Sequence, residues 1–360
     1  MNGLRWTPFA LLALTLALTA CDGPKEKPTT PTATPNADAG AAPDNAVAEK
    51  PAAQPLTVYC GRNEELVAPV LAAFTKETGI QVTTKYGNTQ QLATQLLKEG
   101  DRSTADVFIA QDASTLGYLD GKGVFAPVAA ETLAKVDASF YAASKNWLGA
   151  TGRARVLVYD SSKLKPEDLP ADVDGLTDPK WKGKVGWAPE NASFKSFVAA
   201  MIQQRGPEAT QQWLEKMLAN EPRAYPKNTP AVRAVHKGEI EVALVNHYYL
   251  FRVSDEMGGT KAANHYFRNG KAESMVNLTG AGVLKTSKNG PTAQKLVAFL
   301  VGETAQKHFA EVVHEFPVLA SVKAEGLPEH SSLNAPKLDV AMLDNLEETE
   351  KLLRAAKVLE

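Results

Sequence analysis

From Leu56 onward the chain alternates between short apolar runs and segments with helical spacing, and that alternation confines it to α/β folds. Leu56-Thr57-Val58-Tyr59 reads as a buried strand closed by Gly61. A helix is predicted over 64–78, with Leu66, Val67, Val70, Leu71 and Phe74 on one face and Gly79 at the C-cap. Strands at 80–86 and 106–110 are each followed by a helix, at 89–99 and 113–120. Farther on, strands are expected at 155–159, 184–188, 239–246 and 280–284. Helices are expected at 194–205, 208–219, 292–301, 303–311 and 343–358. Strand–helix–strand units cross over right-handedly and give a mostly parallel sheet covered on both faces. No internal repeat is evident.

The first 55 residues do not share this pattern. Arg5 is followed by an apolar run, Pro8 to Ala20, of about thirteen residues, whereas a membrane-spanning helix needs roughly 20. The run fits a secretory signal over 1–20. It ends in Leu18-Thr19-Ala20-Cys21, and a small residue directly before a cysteine resembles a bacterial lipoprotein cleavage site. Cys21 is therefore the expected lipidation site and the membrane anchor. The alternative is a plain secretory signal with an incidental cysteine. Residues 21–55 are almost entirely Pro, Ala, Thr, Asn and charged residues, a composition that cannot bury enough apolar surface to order itself, so they read as a disordered tether.

The remainder, about 300 residues, is one large or two medium domains. Hydrophobic residues make up 44% of the chain, which suits a globular protein, and a net charge of −2 gives no reason to expect nucleic acid as a partner. With Cys21 assigned to lipid, Cys60 has no partner for a disulfide and reads as a small buried residue. Ligands of open α/β sheets bind at the carboxyl ends of strands. Here those ends carry Cys60-Gly61-Arg62-Asn63, Gln111-Asp112 and Asn246-His247-Tyr248-Tyr249.

These strings, with their neighbours, resemble a known family. LTVYCGRNEELV (56–67), FTKETGIQVTTKYGNTQQLATQLLKEG (74–100), ADVFIAQDA (105–113) and GATGRARVLVYD (149–160) are similar to the bacterial periplasmic ferric-ion-binding proteins. So are WKGKVGWAP (181–189), YPKNTPAV (225–232), LVNHYYLF (244–251) and GAGVLKTSKN (280–289), in the same order. The family comprises the solute-binding components of iron ABC transporters. The resemblance implies a two-lobed periplasmic-binding-protein fold (type II), each lobe a mixed sheet covered by helices, with the ligand in the interlobe cleft. Residues 56–155 plus about 278–325 would form lobe 1, and 156–277 plus about 326–360 lobe 2 with the C-terminal helix.

The resemblance also implies a site. Tyr248 and Tyr249 match the family's twin tyrosines and Tyr159 a third tyrosine, all three as ligands of ferric iron (Fe3+). A phenol has an unperturbed pKa of about 10, and a bound metal deprotonates its ligands, so clustered tyrosines suit a hard trication. Neighbours on a regular strand point to opposite faces, so both residues of the pair can face one ion only if the strand ends at Asn246. The histidine and glutamate of better-known members are replaced by Asn63 and Ala110, which leaves coordination to be completed by water or an exogenous anion. Arg62 and Arg153 are expected to hold that synergistic anion, carbonate, by guanidinium forks. Arg155 is expected on the opposite face in a structural role. Asn191 and Ser193, at a helix start, and Gln111, Asn228 and Asn246 match polar residues that flank the anion in the family. By composition alone each is equally a turn or capping residue. His247, Tyr86 and Tyr225 are expected to serve structure.

The chain is thus expected to be an exported lipoprotein at the periplasmic or cell-surface side of the membrane. It would act as a monomer, capture ferric iron and deliver it to an inner-membrane ABC permease. The alternative is the same fold holding another small anion or organic ligand without iron, which the lost histidine and glutamate motivate. Enzymatic activity is not expected, because no nucleophile–base pair or phosphate loop stands at a recognised spacing.

Overall fold

Strands with both faces buried need near-continuous apolar sequence, and each needs a helix beside it to take up the apolar surface. The computed structural model describes residues 54–336, 338 and 346–360. The predicted signal, Cys21 and the tether up to residue 53 lie outside the described residues.

Strands β1 (Leu56–Cys60), β2 (Val82–Tyr86) and β3 (Val107–Ala110) alternate with helices α1 (Glu64–Thr78), α2 (Thr89–Glu99) and α3 (Ala113–Gly121). Next come β4 (Phe125–Ala126), α4 (Ala130–Leu133) and a long strand, β5 (Leu148–Asp160). Beyond it lie β6 (Val185–Trp187), α5 (Ala192–Arg205), α6 (Pro207–Ala219), β7 (Arg223–Ala224), α7 (Asn228–His236) and β8 (Val242–Asn246). The chain continues through α8 (Tyr248–Met257), β9 (Ala262–His265), β10 (Val276–Leu284), α9 (Gly290–Leu300), α10 (Glu303–Glu311) and β11 (Phe316–Pro317). The last described helix is α11 (Leu346–Ala355), and the part of the predicted helix before it, 343–345, lies outside the described residues.

The strand order is β2-β1-β3-β10-β5-β8-β6-β7, with β4 on β10 and both β9 and β11 on β5. Parallel pairing of β1 with β2 and β3 is joined by antiparallel β10, so the sheet is mixed. Strand β5 belongs to two sheets. Its residues up to Ala154 pair with β10 and β11, and from Arg155 it pairs with β8 and β9. One core gathers around Leu56, Phe74, Phe108, Leu116 and Phe125, and another around Trp187, Phe194, Phe197 and Trp213. In the second core the four rings meet edge-on, with centroids 5.4 to 6.5 Å apart, and each such contact adds about 0.5–1.5 kcal/mol to simple burial. The architecture is two lobes joined by a crossing strand, each a sheet flanked by helices.

Strand β10 begins at Val276, earlier than the predicted Gly280, because its first residues (Val276, Asn277) pair with Ala154 and Arg153 of β5 and so become strand through their partner. A register shift falls between Thr279 and Gly280. There the two strands approach so closely that a Cβ on Gly280 would lie 2.4 Å from the Leu148 carbonyl oxygen. That oxygen is backbone and cannot yield. Gly280→Ala is expected to destabilise the fold by about 1–3 kcal/mol, seen as a lowered midpoint of thermal unfolding; an unchanged midpoint would disprove the close-approach argument.

Candidate metal and anion site

The tyrosine pair is placed by an abrupt change of secondary structure. β8 ends at Asn246, and α8 begins at Tyr248 with only His247 between them. Successive helical residues are about 100° apart instead of on opposite faces. The Tyr248 and Tyr249 rings consequently lie side by side, centroids 4.3 Å apart and tilted by 30°. His247 fastens this corner. Its backbone N–H donates to the Ala154 carbonyl, and its Nδ1 accepts from the Ala154 N–H at 3.1 Å. That leaves Nε2 to donate to the His314 carbonyl at 2.8 Å. Both ring nitrogens are therefore engaged, which agrees with a structural role for this histidine.

Tyr159 is elsewhere. It pairs with Val242, at the start of β8, whereas the cleft-side end of β8, Asn246, pairs with Arg155. Four residues of strand separate Tyr159 from that end, about 13 Å at the usual rise. Tyr159 packs into the core of the second lobe with Leu157, Trp181 and Trp187. The structure does not bring it to the pair, contrary to the expectation of a third phenolate. A strand carries its residues away from its end at a fixed rise, and Tyr159 stands too far along β5.

Three buried guanidinium groups surround the cleft. Arg62 sits in the loop after β1, which is held by the Thr89 hydroxyl donating to the Gly61 carbonyl and by Gly61 N–H donating to Ile109. Its guanidinium donates to Glu315 and lies 5.9 Å from the centre of the Tyr248 ring. Arg153 donates to the backbone carbonyl of Gln111, so Gln111 contributes its main chain there. Arg155 donates to the Leu244 carbonyl at 3.0 Å and to the Ser193 hydroxyl at 3.3 Å, with Phe194 and Phe197 against its plane. The expectation that Arg155 turns to the other face is corrected: residues two apart on a strand share a face. A small pocket between the lobes is lined by Arg153, Gln111, Asp112, Ala192, Ser193 and Asn277, among others.

Ser193 belongs to the first turn of α5. Asn191 caps that helix, accepting from the Ser193 N–H at 3.0 Å and from its hydroxyl at 2.7 Å. The Asn228 side-chain amide, fully buried at the start of α7, donates to both Asn191 and Ser193 at 3.3 Å. Asn246 is buried at the end of β8 beside Arg155. Asn63 lies exposed at the start of α1, and Ala110 is buried at the end of β3. The Nε atoms of Arg153 and Arg155 and the Oδ1 of Asn228 are buried without a hydrogen-bond partner among the described residues. Glu315 and His314 also touch this assembly, as does Thr151 of β5. No local motif marks Glu315 and His314, and only the return of the chain after α10 brings them in.

Burial sets the protonation pattern. It pushes the Tyr248 phenol up, the adjacent Tyr249 adds to this, and Arg62 and Arg153 oppose it. Burial works against the charge of Arg62, but Glu315 and the flanking phenols outweigh it and raise its pKa. Arg155, buried with only the Tyr249 phenol to favour its charge, falls to about 9. Burial likewise raises the Cys60 thiol to about 11, which keeps it protonated at neutral pH.

With this geometry established, comparison with known proteins identifies the scaffold. A family profile, bacterial extracellular solute-binding protein, matches residues 102–342. The major ferric iron-binding protein of Neisseria meningitidis is 35% identical over 314 residues, covering 86% of this chain and 95% of the relative. The chain belongs to the bacterial extracellular solute-binding proteins. The Fe(3+)-binding periplasmic protein of Serratia marcescens is 32% identical over 308 residues, 84% of this chain and 90% of that one. Iron-bound HitA from Pseudomonas aeruginosa superposes with a TM-score of 0.77 at 36% identity, covering 84% of this chain and 98% of HitA. In this chain the tyrosine pair, at the start of α8 in the second lobe, meets Arg62 of the first lobe.

The buried histidine makes the stability of this solute-binding protein pH-dependent. Burial lowers the pKa of His247 to about 3, against an ordinary value of about 6.5. Between these values the unfolded chain binds a proton that the folded one does not. Its contribution to stability is therefore complete above pH ~6.5 and is lost as pH falls towards ~3, at up to about 1.4 kcal/mol per pH unit. Thermal unfolding of the iron-free protein is expected to drop between pH 7 and pH 4 by more in the wild type than in His247→Gln. Parallel curves would contradict this.

Proposed function

We propose that this solute-binding protein captures ferric iron between its lobes, with Tyr248 and Tyr249 as its phenolate ligands and a small oxyanion completing the site. The observation that carries the reading is the pair of adjacent phenols at the start of α8, 4.3 Å apart and set among buried guanidinium groups. Phenolate oxygen suits a hard trication, and the iron supplies the energy that ionising a buried phenol costs. The relatives named for ferric iron support the same cargo.

The anion is assigned to the first turn of α5, where backbone N–H groups and the helix dipole favour negative charge. Ser193, Asn191 and Asn228 line that turn, Arg153 and Arg62 supply charge, and Gln111 and Asn246 border the cleft. Ferric iron with two phenolates retains one positive charge. Arg153 and Arg155, which form no ion pair among the described residues, add to it, so a carbonate-like anion offsets a real excess. Closure of both lobes on the ion would favour the bound state by giving it contacts that the open state lacks.

Proteins of this family work with ABC permeases. Delivery to an inner-membrane iron permease, periplasmic or cell-surface attachment through Cys21, and action as a monomer complete the proposal. Ferric phenolate has a visible charge-transfer band, which provides the test. Tyr248→Phe and Tyr249→Phe are each expected to abolish or shift the band and to weaken ferric affinity at least about 100-fold, the scale of losing one charged ligand. Tyr159→Phe is expected to leave the band unchanged. A wild-type protein that stays colourless with ferric iron and bicarbonate would overturn the reading.

A further inference from the structure

The residue that joins most parts of the site is one that no motif marks. After α10 the chain turns through His314, whose φ of 56° lies in the left-handed region, and enters β11. This turn carries Glu315 inward, where it is 1% exposed. One carboxylate oxygen accepts from Arg62, in the loop after β1. The other accepts from the hydroxyl of Thr151, on the part of β5 that belongs to the first lobe. The neighbouring His314 accepts from His247 through its carbonyl and stacks on Phe251 of α8, centroids 4.4 Å apart and 11° from parallel. One short turn thus touches the first-lobe loop, the crossing strand and the helix that bears both tyrosines.

We infer that Glu315 is a positioning residue of the iron site: its carboxylate neutralises Arg62 and holds that guanidinium against Tyr248, so the exogenous anion is left to Arg153 and Arg155. The inference rests on the ferric reading of the tyrosine pair and revises the part that Arg62 plays in it. The chemistry follows from charge and reach. A lone guanidinium beside Tyr248 would favour the phenolate but repel the trication bound to it. A buried carboxylate on its far side removes the net charge and fixes the side chain, while the N–H groups turned to the phenol remain in place. Arg153 and Arg155 have no such carboxylate among the described residues, and each keeps a buried Nε without a partner. Arg155 also reaches Ser193 in the first turn of α5, beside the proposed anion position.

The test is ferric titration, followed by the visible band, with and without bicarbonate. The quantity read is the ratio of apparent ferric affinities in the two conditions, and thermal unfolding reports the fold. In Glu315→Gln, Arg62 becomes an uncompensated charge beside Tyr248, 5.9 Å from the centre of its ring. Affinity without bicarbonate should fall, and the ratio should rise at least about tenfold over the wild type. In the double variant Arg62→Met, Glu315→Gln the pair is removed as a neutral unit, so the ratio should stay at its wild-type value while absolute affinity drops. An unchanged ratio in folded Glu315→Gln would overturn the inference. So would collapse of the ratio to one in the double variant, because Arg62 would then be the anion's own fork. If Glu315→Gln does not fold, the double variant decides alone. A wild type without a visible band overturns the ferric reading and this inference together, whereas a coloured wild type with either contrary ratio overturns this inference only.

Discussion

Strand β5 is hydrogen-bonded to β10 and β11 through its first half and to β8 and β9 through its second. The change of partners falls at Ala154 and Arg155, and both backbone groups of Ala154 are taken by His247. The position of α8, and with it the tyrosine pair, is therefore set by the same residue at which the chain passes from one lobe to the other. Arg153 lies on the near side of that point and Arg155 on the far side, so one strand delivers a cation to each lobe. A slip of one residue along β5 would turn both arginines away and bring apolar side chains into the cleft.

The site is costly to assemble because its charges are buried. Burial pushes the Tyr248 phenol up, and three guanidinium groups lie almost out of reach of water. Arg62 is compensated within the chain by Glu315. Arg155 is given carbonyl and hydroxyl acceptors and two aromatic faces in place of a carboxylate. Under the proposed function such an arrangement would be better satisfied once a cation ionises the phenols and an anion meets the remaining guanidinium groups. Binding energy and local stability are then coupled, as expected of a protein that must hold its cargo firmly and still release it.

Much of the fold was legible because apolar period and punctuation are local. The strand at Leu56–Cys60, the helix at Glu64–Thr78 with Gly79 as its left-handed cap, and the end of β8 at Asn246 all follow from residues within a few positions of one another. The start of β10 was not legible, since Val276 and Asn277 become strand only by pairing with β5. The tyrosine pair was legible through its string of neighbours. The place of Tyr159 was not legible, because a resemblance does not measure distance along a strand, whereas the two-residue period puts Arg155 on the face of Arg153.

By itself the sequence determined the α/β class, the end of the strand at Asn246, and the ligand chemistry that two adjacent phenols offer. Those depend on side-chain type and on local backbone preference. Only the tertiary structure decided that Glu315 meets Arg62, that Gln111 serves through its carbonyl, and that Tyr159 belongs to the core of the second lobe. These are long-range outcomes of two sheets sharing one strand. Glu315 and Arg62 stand 253 residues apart, and no local preference can specify a contact that the return of the chain to β5 creates.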